Sequence, residues 1–200
     1  MGHSSGGGGK IGVEAIAALH SRVSESALAA PAPMGATLDN IQRAALRAAD
    51  HGMLRPWRFL VIEGEGRHRL GELFVRSRET REGALPERER ERTLGRPLRA
   101  PLLIVTIAAC RTNTKVPVVE QWLSAGAAVQ NMLNAAHAQG VGAIWRTGDF
   151  AYDPVVKAGL GVEAAEHIVG FLYLGTVSEP RPPQTPLDPA RFFLPWGKDV

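Results

Sequence analysis

Six consecutive residues, Leu102-Leu103-Ile104-Val105-Thr106-Ile107, hold no charge and a single hydroxyl. Such a run reads as a strand covered on both faces, because neither side of its pleat carries a residue suited to water. It commits the chain to a sheet with other elements packed above and below. The rest of the sequence has to supply that cover.

The chain is long enough to do so. Its 200 residues, 44% hydrophobic and 22% charged, suit one domain with a real core. Ile11 to His20 has apolar residues at helical spacing. The loop ALAAPAPMGA leads into a second helix, with Thr37 as N-cap and Leu38, Ile41 and Ala45 as its buried stripe. That helix is expected to end near Gly52. A strand over Phe59–Ile62 stops at Gly64, and Arg67 to Arg92 is polar, with helical pieces broken at Gly83 and Pro86. Ser124 to Gln139 is a long helix rich in alanine, which suits close packing on more than one side. Ala143–Arg146 is a short strand, and Asp153-Pro154 caps a short helix ending at Gly161. Ile168–Gly175 is the last strand. From Ser178 onward six prolines make an extended arm with no core of its own, expected to lie on a partner subunit. The division is a flexible tail over 1–10, one domain over 11–177 and the arm over 178–200.

Several classes of function are excluded. One cysteine, Cys110, forms neither an internal disulfide nor a cysteine metal cluster. Lys and Arg exceed Asp and Glu by 23 − 20 = 3, and the pI is about 9.4. The basic residues are scattered, and 76–96 alternates Arg with Glu, which argues against nucleic acid as a partner. No apolar stretch approaches the ~20 residues of a membrane span, and no targeting signal is readable, so a cytoplasmic protein is expected. The six His are dispersed, with no HExxH, no G-x-S-x-G and no P-loop. Gly64-Glu65-Gly66 lacks the third glycine of a dinucleotide fingerprint, since position 69 is Arg. No metal is expected.

Four pieces remain. Arg22 and Ser24, two apart in an extended segment, offer a cation and a hydroxyl to one phosphate, or are a surface Arg and a turn Ser. Arg47 and His51, at i and i+4 on the second helix, share one face, and are either a ligand-facing pair or a solvated helix end. Arg55-Pro56-Trp57-Arg58-Phe59 enters a strand, with Trp57 and Phe59 packing inward. Trp145-Arg146-Thr147-Gly148 ends a strand, where open sheets tend to place ligands.

In order and spacing these pieces resemble the FMN-dependent nitroreductase family, and in it a small NAD(P)H nitroreductase subgroup. PWRFLVIEGEGR, SAGAAVQNMLNAAHAQGVGAIWRTG and IVGFLYLGT carry the likeness, which runs from about Val13 to Thr176. The resemblance implies an α+β fold, a central mixed sheet flanked by helices, in an intertwined homodimer with FMN in clefts between subunits. It implies that Arg22, Val23 and Ser24 hold the phosphate and ribityl region, Val23 through its backbone. Arg47 and His51 would contact the flavin, and Trp145, Arg146 and Thr147 would line the isoalloxazine. Arg55, Gly148 and Arg181 are further possible contacts. Val23 stands where the family usually has a second cation, Arg55 where it has Gln, and Arg181 is the one candidate for a C-terminal phosphate cation. The implied activity is ping-pong reduction of nitroaromatic, quinone or similar acceptors with NADH or NADPH. No protein group is then the catalyst, since flavin N5 carries the chemistry. A non-catalytic flavin-binding module, and a fold relative that dehalogenates or forms enones, are the alternative readings.

Overall fold

The computed structural model describes residues 14–197, so the tail over 1–10 lies outside the described residues. The first helix, α1 (Ala15–Ser21), opens where the Glu14 carboxylate accepts from the backbone N–H of Ile16 and Ala17. A two-residue strand, β1 (Leu28–Ala29), leads to α2 (Gly35–Ala45). Thr37 does not cap α2: the helix begins two residues earlier, with Met34 at the N-cap and no side-chain cap. Nor does α2 reach Gly52; it ends at Ala45, and Gly52 (φ 73) sits in a separate 3-10 turn, His51–Met53.

Strand β2 (Trp57–Glu63), helices α3 (Glu65–Glu82) and α4 (Glu87–Leu94) and strand β3 (Leu102–Ala108) follow. The break between α3 and α4 falls at Gly83–Pro86, as the sequence indicates. Helix α5 spans Val118–Ala138, one and a half turns longer at its start than the alanine pattern suggests. Strand β4 (Gly142–Arg146), helix α6 (Pro154–Gly159) and strand β5 (His167–Val177) complete the domain. The Asp153 side chain caps α6 by accepting from the N–H of Val155 and Val156.

The sheet runs β1-β5-β3-β2, with β4 beside β1 on the outer edge of β5. Every ladder is antiparallel. The expected central sheet flanked by helices is therefore present, but within one chain it is not mixed, because each strand returns beside its partner in the opposite sense. All seven residues of β3 are buried. Their side chains alternate cleanly between two cores. Leu103, Val105 and Ile107 face Phe74 of α3, Val156 of α6 and Phe150. Leu102 and Ile104 face Ile41 of α2 and Ala128, Met132 and Ala136 of α5. Phe74 and Phe150 stack at 4.0 Å, and the Phe171 ring meets Phe74 edge-on at 5.5 Å.

The alternation of β5 breaks at one place. A bulge opposite Thr106 and Ile107 puts Gly170 beneath the Trp145 indole, so close that a Cβ there would overlap it. The indole N–H donates to Val169 O at 3.2 Å. Beyond Val177 the chain is exposed and extended, apart from a 3-10 turn at Pro189–Arg191.

Candidate functional site

The candidate residues fall into three groups spread along α5. At its C-terminal end, segment 22–27 runs beside the outer edge of β4, where the Glu25 N–H donates to Ala143 O at 2.9 Å. Arg22 and Ser24 are half-buried, and Nη1 of Arg22 is buried without a hydrogen-bond partner. Ser21 Oγ and His137 Nε2 lie 2.9 Å apart. Burial, and then the charge of Arg22, hold the His137 imidazolium below the usual histidine range. Val23, Glu25 and His137 line a cavity of about 220 Å³. Arg181 comes to the same place: its guanidinium donates to Ser26 Oγ at 2.8 Å, and its N–H to Glu25 Oε2 at 3.2 Å. A buried cationic nitrogen with nothing to bind is the sort of group an anion would satisfy.

The second group is the loop before β2. Arg47 lies beyond the end of α2 and is exposed, whereas His51 belongs to the 3-10 turn. The expected i, i+4 pair on one helix face does not exist, because the helix has already stopped. His51 Nδ1 instead pairs with Glu120 Oε2 at 2.6 Å, near the N-terminus of α5. Met53 (φ 51) and Arg55 (φ 49) are both in the left-handed region, and Asp50 Oδ2 accepts from the Arg55 N–H at 2.6 Å. Two strained non-glycine residues so close together mark a loop whose shape is imposed by its surroundings. Glu120 and His137 are 17 residues apart on one helix, about 26 Å along its axis. The first two groups therefore stand at opposite ends of α5.

The third group is the end of β4. Trp145 lies on the α5 side of the sheet, within van der Waals reach of Gly126, and packs into the second core. Arg146 points to the other side, its guanidinium 5.8 Å from the Tyr173 ring centre. The two side chains do not share a surface, since neighbours in a strand face opposite ways. Thr147 and Gly148 (φ 74) follow at the exposed strand end.

Arg146, Thr147 and Gly148 line a cavity of about 360 Å³ together with residues the sequence did not single out. Arg96 and Arg99 flank it, and the Arg96 guanidinium sits 5.1 Å from the Phe150 ring centre. Burial first, and then the charges of Arg99, Arg92 and Arg78, hold Arg96 below its ordinary range. Burial raises the Tyr173 phenol, against the pull of Arg146, Arg99 and Arg96. In sequence Arg96 and Arg99 merge with the Arg/Glu alternation of 76–96. The one signal was that no glutamate follows Glu91 before the strand begins.

Among the described residues no group of three or more His, Cys, Asp or Glu is arranged to hold a metal. No described helix is long and apolar enough to cross a membrane.

Residues 20–176 match the family model described as "Nitroreductase family". The chain is 45% identical over 168 residues to the Escherichia coli protein named "Putative NAD(P)H nitroreductase YdjA", covering 82% of this chain and 88% of that one. A Haemophilus influenzae protein named "Putative NAD(P)H nitroreductase" is 33% identical over 168 residues, covering 84% of this chain and 90% of that one. Among solved structures, a nitroreductase-like protein from Bacillus cereus superposes with TM-score 0.79 at 22% identity, over 93% of this chain and 97% of that one. The FMN- and NADPH-dependent nitroreductase NfnB from sphigopyxis sp. strain HMH gives 0.74 at 20% identity, over 93% and 100%.

Proposed function

This chain belongs to the nitroreductase family, and from that premise we propose that it is an FMN-dependent oxidoreductase reducing nitroaromatic, quinone or similar acceptors with NAD(P)H. The observation that carries the reading is the unpartnered, buried Nη1 of Arg22 beside Ser24, His137 and Arg181. A phosphate there would meet one free guanidinium face, a hydroxyl and a second cation close by. These residues fit the phosphate end of FMN. FMN, when bound, would supply two-electron transfer between the nicotinamide and the acceptor.

The chain's own part is to bind and to position. Arg22 and Ser24 would hold the phosphate, Val23 would contribute its backbone, and Arg181 would complete the charge from the arm. The strand end at Arg146–Gly148 would offer backbone N–H groups and a cation beside the ring system. Arg47, His51 and Arg55 belong to the opposite end of α5, so one chain does not gather the whole set. A second copy, packed antiparallel along α5, would bring its 47–55 loop to the first copy's Arg22. Exposed apolar side chains support such a homodimer: Val119, Trp122 and Leu123 on α5, and Phe192, Phe193 and Trp196 on the arm.

The test is spectroscopic. The purified protein is expected to be yellow, to bleach with NADPH or NADH under nitrogen, and to recover on adding a nitroaromatic. Steady-state rates are expected to give parallel double-reciprocal lines, as a ping-pong cycle requires. A colourless protein that binds no added FMN overturns the reading. Sedimentation of the chain truncated after Ser178 tests the assembly: a dimer that keeps all its flavin removes the arm from the site.

A further inference from the structure

Three arginines meet at the cavity between the 97–99 turn and the end of β4, and none has a counter-charge. Arg96, Arg99 and Arg146 form no ion pair among the described residues, and their guanidinium groups make no hydrogen bond there. Nε of Arg146 is buried and unpartnered. Carboxylates are close but committed or turned elsewhere. Glu82 and Glu89 are both held by Arg78, and Asp149 lines the cleft on the far side of Arg96. All three arginines bear on the Tyr173 phenol at the cavity wall. Like charges brought together in a partly dry space repel unless an anion joins them. At about 360 Å³ the cavity is at the small end of ligand pockets, which run from about 300 to 1,000 Å³.

We propose that this cavity is an oxyanion site, taking a phosphate or carboxylate group of a small ligand other than the flavin. Arg96 lies beside the Phe150 ring and Arg146 beside Tyr173, both half-buried, while Arg99 is exposed. Gly148, at φ 74, lines the same cavity. The site is separate from the cavity beside Val23 and His137, which shares no lining residue with it. It adjoins the strand end Arg146–Gly148 assigned above to the flavin ring, and substitutions at Arg99, with flavin content read alongside, keep the two readings distinguishable.

The experiment is calorimetric titration of the protein as purified, at low ionic strength, with inorganic phosphate and with benzoate. At least one anion is expected to saturate a single site per chain. Arg99→Gln is expected to weaken it about tenfold, as loss of a charge-assisted contact implies, while Arg99→Lys keeps most of the affinity. Flavin content, read by absorbance, is expected to stay at the parent level in both variants. Steady-state kinetics then identify the source of the anion. A KM that rises in Arg99→Gln for NADPH but not for NADH assigns it to the 2′-phosphate of the reductant. Equal KM values for both, with benzoate binding lost, assign it to an acidic acceptor. The proposal is overturned if neither anion saturates, if Arg99→Gln binds both like the parent, or if the variant loses flavin in step with the anion. A colourless protein whose phosphate binding is still weakened by Arg99→Gln keeps this site and removes the flavin.

Discussion

Two regions of the molecule use arginine in opposite ways. Along the α3–α4 ledge Arg78 donates to both Glu82 and Glu89, and across the sheet end Arg58 grips Glu166 through Nε and Nη2 at 2.7 and 2.6 Å. Each of those cations has its anion within the chain. At the two ends of β4, Arg22 and the Arg96–Arg99–Arg146 cluster have none among the described residues. A paired arginine has its work done at folding. An unpaired one that the packing holds half-buried, as it does Arg22, Arg96 and Arg146, costs stability until something anionic arrives. The contrast separates scaffold from site more sharply than exposure does, since Arg58 and Arg22 are equally half-buried.

The comparison breaks if removing a paired arginine changes ligand binding rather than stability. Arg58→Ala leaves the Glu166 carboxylate, 8% exposed, with only the Glu163 N–H as donor. The expected loss is about 2–3 kcal/mol, a Tm lower by roughly 5–10 °C in thermal melts, with flavin content per folded protein unchanged. Arg22→Ala is the mirror case. FMN affinity is expected to fall at least about tenfold by equilibrium dialysis, roughly 1.5 kcal/mol, while the Tm of the flavin-free protein stays within about 1 °C. A flavin-free protein destabilised as much as Arg58→Ala would make Arg22 a structural residue.

Acid sharpens the same contrast. The hydrogen bond from Arg58, first among the causes, holds the Glu166 carboxyl below the usual carboxylate range. A depressed folded value means that this stability is present above the unfolded carboxylate pKa. It is lost as pH falls through the lower, folded value. Denaturant melts at descending pH are expected to show a shallower acid loss in Arg58→Ala than in the parent. The smallest effect is expected at the cavity mouth. Arg99→Gln removes repulsion from an exposed position, so stability is expected to rise slightly, by no more than about 0.5 kcal/mol. That gain is expected to vanish in about 1 M salt, where the screening length is about 3 Å. A clear loss of stability there would mean that Arg99 has a partner.

Much of the scaffold was legible because it depends on local pattern. The uncharged run of β3 announced a strand covered on both sides, and Asp153-Pro154 announced the start of α6. The first turns of α5 were missed because Glu120 and Gln121 interrupt the apolar pattern. Gln121 is in fact buried, with its amide satisfied by the backbone of Arg111 and Val116. The site was less legible, because pairing between distant residues decides it. Nothing near His51 points to Glu120, 69 positions away. Nothing in the Arg/Glu alternation says that Arg78 will take two glutamates and leave Arg96 with none. That outcome depends on how α3 packs against α4, with Gly71 so near Leu94 that a Cβ would lie 2.5 Å from its carbonyl oxygen.

The indole of Trp145 lying over Gly170 makes these two positions a single unit of heredity. With Trp at 145, residue 170 has no room for a methyl group, and its backbone, at φ 158, borders the region that only glycine enters freely. A side chain at 170 needs position 145 to shrink first, and its Cβ would still lie 2.8 Å from the Arg146 carbonyl oxygen, so the strand end has to shift as well. Mutational drift through this corner therefore has to pass in a fixed order, the smaller residue at 145 first. Its passage would move the strand end that carries Arg146 and Thr147, so a descendant that crossed it is expected to differ in what it binds before it differs in how it folds.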